Sequence, residues 1–277
     1  MKEQRKVWLG LGAALLASSG VTSQAADSTP FDHHASQQTL QVAALAGEGG
    51  EGEGGEGEGG EGGGAADLTK DDAAYLGQLG LVRGHLWVGV QLYKAGHKDM
   101  ALTHMKHPGD ELYAGLKPAF AARDEEGFAE ALSALADAVE QGQSVEMVEQ
   151  RHRELEAGIA DAENLQNASL KVALASIERM VRTAAEEYAI GVRNGEIVNA
   201  HEYQDAYGFV EAAKARLALL NDVQRQESPD AVAEVETQLN AVASLWPALV
   251  PEGTVEGDAS KLYGAAARIQ LAGWELE

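Results

Sequence analysis

The sequence predicts an all-α protein, a multi-helix bundle of about seven to eight helices preceded by a signal peptide and a disordered Gly/Glu tract. Three observations lead there. Hydrophobic residues make up 45% of the 277 but aromatic residues only 5%, with alanine abundant, which suits helix packing and not a β-sandwich or barrel. Apolar residues recur at helical period from Asp71 to the C-terminal region, and no run shows a convincing strand alternation. Between residues 47 and 64 the chain contains only glycine and glutamate, a composition with no apolar surface to bury and six mutually repelling carboxylates.

These patterns divide the chain into three parts. In residues 1–25, Lys2, Arg5 and Lys6 form a basic start, Val7 to Ala17 an apolar run, and Ser23-Gln24-Ala25 a small-residue cleavage site, the layout of an export signal. The apolar run is far short of the ~20 residues a membrane-spanning helix needs. Residues 26–65 form a disordered linker that ends in the Gly/Glu tract. Residues 66–277 are expected to be one helical bundle domain, long enough for a substantial core.

Within that domain the first helix is expected from about Asp71 to Ala95. Tyr75, Leu79, Val82, Leu86, Val90 and Tyr93 lie on one stripe, and Gly77, Gly80 and Gly84 line another face that permits close helix approach. Leu76, Leu81, Trp87, Val88 and Leu92 fill much of the remaining circumference, so this helix should run through the middle of the bundle. A short helix from His97 to Lys106 follows, then a break at His107-Pro108-Gly109. Further helices are expected at about Asp110–Ala122, Glu125–Gln141, Ser144–Asn164, Ala168–Arg193, Ala200–Gln226, Pro229–Leu249 and Asp258–Ala272. Asn199-x-x-Glu202 reads as a capping box, and Ser228-Pro229 as an N-cap followed by proline at the first helical position.

Charge and composition exclude several functions. With 44 acidic against 21 basic residues the net charge is −23, so a polyphosphate is repelled and no nucleic acid is expected as partner. Cations are the natural counterpart. The absence of cysteine removes disulfides, thiolate zinc sites, iron–sulfur clusters and a cysteine nucleophile. No phosphate-cradling loop, dinucleotide fold or Ser-His-Asp signature is present, so no catalytic residue is assigned.

What remains is imidazole, carboxylate and thioether chemistry. His97, Met100, His104 and His107 stand at i, i+3, i+7 and i+10, which on a helix places them within an arc of ~80°. Glu111 lies one turn further, and His85 sits on the expected central helix, so His85, His97, Met100, His104, His107 and Glu111 form the candidate metal ligands. Imidazole with carboxylate suits iron or zinc, while thioether favours copper(I); the expected cargo is an iron or copper ion. The competing reading is a polar helix face beside Lys98, Asp99 and Lys106. Glu149-x-x-His152, with Glu156 one turn on, has the spacing of di-iron bundles but occurs once, so a charged surface helix explains it better. His201 and Asp205, at i and i+4, fall roughly opposite the Tyr203, Val210 and Leu217 stripe and are expected to face water.

From Glu187 to Val210 the sequence EYAIGVRNGEIVNAHEYQDAYGFV, with Gly191, Gly195, Glu202-Tyr203 and Phe209, resembles a segment of the soluble periplasmic helical region of bacterial high-affinity iron permeases. The resemblance covers about 40 residues. It implies a periplasmic helical module serving iron or another transition metal beside a membrane metal permease. The chain has no permease transmembrane helices, and Arg153-Glu154-Leu155-Glu156 is one residue short of the family's Arg-Glu-x-x-Glu motif, so permeation itself is excluded and an integral membrane protein is not expected. The resemblance carries over no ligand residue. The function expected is periplasmic binding or delivery of a transition metal. The alternative is a helical interaction module that docks a partner protein through its acidic surface.

Overall fold

The computed structural model describes residues 66–276; the expected signal peptide and Gly/Glu linker lie outside the described residues. Ten α-helices account for most of what is described: α1 (Asp72–Lys94), α2 (Lys98–His107), α3 (Tyr113–Ala122), α4 (Ala129–Glu140), α5 (Val145–Glu163), α6 (Leu170–Gly191), α7 (Ala200–Ala218), α8 (Asp222–Glu227), α9 (Pro229–Ala241) and α10 (Ser260–Trp274). The all-α expectation holds, and the higher helix count comes from breaks the periodicity did not announce.

The expected helix from Ala200 to Gln226 is interrupted, because Asn221 and Gln224 form a reciprocal capping box that starts α8 anew. The helix expected to reach Leu249 stops at Ala241, after which a short 3-10 turn over Ala243–Leu245 leads into extended chain. Asp124 and Gly127 both have positive φ, which delays α4 to Ala129. Pro108 does not break the chain's helical course. It opens a single π-helical turn, Pro108–Leu112, that joins α2 to α3. One strand pair was not foreseen: β1 (Val192–Arg193) and β2 (Glu196–Ile197) are antiparallel, turning at Asn194-Gly195 with positive φ at both residues. Asn-Gly is the preferred sequence for such a two-residue hairpin turn.

α1 runs through the middle, as its apolar circumference predicts. It is capped by the Asp71 side chain, which accepts from the Ala74 amide at 2.9 Å, and it is packed by α2, α5, α6 and α7. Glycines set two of these crossings. A Cβ on Gly80 would lie 2.2 Å from Met180 Sδ of α6, and one on Gly84 would lie 2.9 Å from the Gly208 carbonyl carbon of α7.

A buried ionic knot ties the same helices from another side. Glu163, at the end of α5, accepts from Arg83 Nε and Nη2 of α1, each at 3.1 Å, and from Arg216 Nη2 of α7. Arg216 Nη1 also donates to the Leu76 carbonyl at 2.6 Å and to Ser176 Oγ of α6 at 3.0 Å. Burial pushes the Glu163 carboxyl up, but Arg216 and Arg83 outweigh it and hold it below the ordinary carboxylate value.

Candidate metal centre

Where α1, α2 and α7 meet, four imidazoles surround one carboxylate. His85 comes from the middle of α1, His104 and His107 from the last turns of α2, and His201 and Asp205 from the first turns of α7. The local reasons are simple. On α2, Ala101, His104 and Met105 form the stripe that faces inward, and His107 follows His104 by three residues. On α7, His201 and Asp205 are one turn apart on the same face. The close approach of Gly84 to Gly208 then draws His85, the next residue on α1, towards Asp205, three residues before Gly208 on α7.

Asp205 is the hub and is completely buried. Its Oδ1 lies 2.6 Å from His85 Nδ1 and 2.9 Å from His104 Nδ1, and its Oδ2 lies 3.3 Å from His201 Nδ1. Burial pushes the Asp205 carboxyl up, yet His85 and His104 more than offset this and hold it far below the usual range, so it is ionised. His104 Nε2 also lies 2.9 Å from Gln204 Oε1. His104 thus has an oxygen within hydrogen-bond distance of each ring nitrogen. His201 Nε2 is buried without a hydrogen-bond partner among the described residues. Burial lowers the His201 pKa to about 4, against the pull of Asp205 and helped by the neighbouring imidazoles, so this ring is neutral at physiological pH.

The rings are close-packed. His104 stacks on His201 with centroids 4.3 Å apart, His107 meets His85 edge-on at 4.8 Å, and Phe209 closes the far side of His85 at 5.0 Å. Donor atoms of His85, His107 and Asp205 lie within 4.8 Å of one another, as do those of His104, His201 and Asp205. Imidazole nitrogen and carboxylate oxygen at this spacing are the donor set that binds borderline divalent transition metals.

Of the sequence-derived candidates, the structure brings His85, His104 and His107 into this cluster. It does not bring His97, which is exposed at the N-cap position of α2. Met100 is half-buried and lines a separate cavity with Tyr203, Gln204 and Leu249, while the Glu111 side chain is outside what the structure describes. The expectation that His201 and Asp205 face water is overturned. It assumed one buried stripe on this helix, whereas α7 packs on α6 with one side and on α1 with another, so Asp205 opposite Tyr203 is buried and His201 is largely covered. The i, i+4 His-Asp spacing was the available signal. Glu149 pairs with Lys94 at 2.6 Å, while His152 is largely covered and reaches only Glu156, at 3.6 Å.

The site and scaffold together define a class: an all-α bundle with a buried histidine-rich cluster at its centre. Residues 162–272 match the family model of the iron permease-associated 4-helix bundle domain. That span runs from the end of α5 through most of α10, and it contains the whole of the Glu187–Val210 resemblance together with His201 and Asp205. No curated protein and no solved structure shows significant similarity to the chain. Among the described residues no helix is long and apolar enough to cross a membrane.

Proposed function

We propose that this protein is an exported metal-handling module of an iron permease system, which binds a transition-metal ion through His85, His104, His107, His201 and Asp205 in the periplasm and delivers it to the membrane permease. One observation carries the reading: four imidazoles and one ionised carboxylate share a buried cluster in which His201 Nε2 has no hydrogen-bond partner. Buried polar groups are ordinarily satisfied, and a bound ion is one way to satisfy this nitrogen. Met100 lines a separate cavity, and the candidate donors are imidazole nitrogens and a carboxylate, a set that favours iron(II) over copper(I). The family match and the export signal read in the sequence support a place beside an iron permease.

The test uses the purified chain without a histidine tag, titrated anaerobically with iron(II) and with cobalt(II) as a redox-stable probe. Binding confined to the folded state raises the melting temperature, and a concentration of 100 Kd corresponds to ~2.7 kcal/mol of stabilisation. His104→Ala and His201→Ala are each expected to reduce that rise, whereas His97→Ala leaves it intact. A melting temperature indifferent to both metals refutes the proposal.

A further inference from the structure

Resting on that metal-binding reading, we infer that the cluster holds two divalent transition-metal ions, one on His85 and His107 and the other on His104 and His201, with Asp205 bridging them. The argument is geometric. A single ion bound at ~2.1 Å by all five side chains requires every pair of donor atoms to lie within about twice that bond length. The cluster does not meet this condition. Donor atoms come within 4.8 Å of one another in two sets of three, His85/His107/Asp205 and His104/His201/Asp205, which share only the carboxylate. Ring positions divide the same way at His85, which lies 4.8 Å from His107 but 6.2 Å from His104 and 6.5 Å from His201, while the His104–His201 pair stands at 4.3 Å and His107 approaches His201 to 5.2 Å between the two positions.

Asp205 is oriented as a bridge. Its Oδ1 is directed at His85 and His104 and its Oδ2 at His201, so the two oxygens already address both positions. Carboxylate-bridged pairs of ions typically sit ~3.5–4 Å apart, a spacing compatible with these ring separations. Charge makes the two positions unequal in use. Only one carboxylate, completely buried, offsets both ions within the described cluster, so the first ion to bind raises the cost of the second. Filling is therefore stepwise, and the second ion is the weaker.

The experiment counts ions. The untagged chain is titrated with cobalt(II) by calorimetry, with metal content measured after removal of free ion, and electron paramagnetic resonance is recorded at one and at two equivalents. The expected result is two ions per chain in two resolved steps, with the resonance altered by magnetic coupling as the second ion binds. His107→Ala and His201→Ala should each leave one ion per chain and no coupling, and Asp205→Asn should lose both. Saturation at one ion per chain overturns the two-ion inference and leaves the proposed function standing. A second ion insensitive to both His107→Ala and His201→Ala, bound elsewhere on the acidic chain, also overturns it. No binding at all brings down both readings. The count on the unmutated chain decides the matter even if a variant fails to fold.

Discussion

Replacing Gly208 by alanine tests whether the α1–α7 crossing builds the cluster. A Cβ at this position would lie 2.4 Å from the Gly84 carbonyl oxygen, 2.6 Å from Val88 Cγ2 and 2.8 Å from the Gly84 carbonyl carbon. Two of these three atoms are backbone, so no rotamer change relieves the clash, and the helices must part by about 1 Å to restore ordinary contact distances of ~3.5 Å. Overpacking of this kind costs about 1–3 kcal/mol. Alanine's better helix propensity returns up to ~1 kcal/mol. A net loss of about 1–2 kcal/mol lowers the melting temperature of a domain this size by ~2–8 °C. The same displacement acts on the site. His85 Nδ1, now 2.6 Å from Asp205 Oδ1, moves out of hydrogen-bond range, and losing a ligand's partner weakens metal affinity by ~10-fold or more. Thermal unfolding followed by circular dichroism and a cobalt(II) titration read the two effects. Gly264→Ala is the control, since its Cβ would meet nothing within 4 Å. If Gly208→Ala melts with the unmutated chain and binds cobalt(II) equally well, the crossing is not what sets the His85–Asp205 geometry.

Two further outcomes follow from buried groups away from that crossing. Burial first, and then Arg83, lower the His152 pKa to about 4, so the folded state favours the neutral ring. Above pH 6.5 neither state holds the proton and stability is complete. As pH falls from 6.5 towards 4 the unfolded chain protonates while the folded one does not, and up to ~3 kcal/mol is lost. His152→Gln should flatten that part of a pH–stability curve measured by urea unfolding, and an unchanged slope would show that His152 is not shielded. Glu163→Gln leaves the Arg83 and Arg216 guanidinium groups without their shared carboxylate, with Arg216 itself buried, and is expected to destabilise by about 3–5 kcal/mol in the same assay. A loss under 1 kcal/mol would mean that water or neighbouring groups compensate the arginines.

How much of this was legible in the sequence depended on whether a signal was local. The spacing of His104 and His107 places both on one helix face without knowledge of any partner, and the apolar circumference of α1 announced a central helix. Gly77, Gly80 and Gly84 announced a close approach, but the approaching element cannot be read from α1 alone: it is Met180 of α6 at one glycine and Gly208 of α7 at another. His201 and Asp205 were misplaced for the same reason. A helical wheel assigns one buried face, and α7 has neighbours on more than one side, so Asp205 is as buried as the apolar stripe and His201 is largely covered. The Asn221–Gln224 cap and the Asn194-Gly195 turn are local signals that were present in the sequence and outweighed by the longer periodic runs around them.

The boundary of the family match bears on how the site is assembled. The matched span contributes His201 and Asp205 from α7, while His85, His104 and His107 come from α1 and α2, outside residues 162–272. The span that matches the iron permease-associated 4-helix bundle model therefore holds the carboxylate and one imidazole, and the preceding helices hold three of the four imidazoles. The Gly84–Gly208 and Gly80–Met180 contacts lock α1 onto that bundle, and α2 packs beside α1 through Met105 against Gly89. Anything that loosens α1 separates His85 from Asp205 while leaving the i, i+4 pair on α7 intact. If the cluster holds metal as proposed, its affinity depends on how tightly these two parts of the chain pack, and a variant that loosens α1 should bind cobalt(II) more weakly than the unmutated chain.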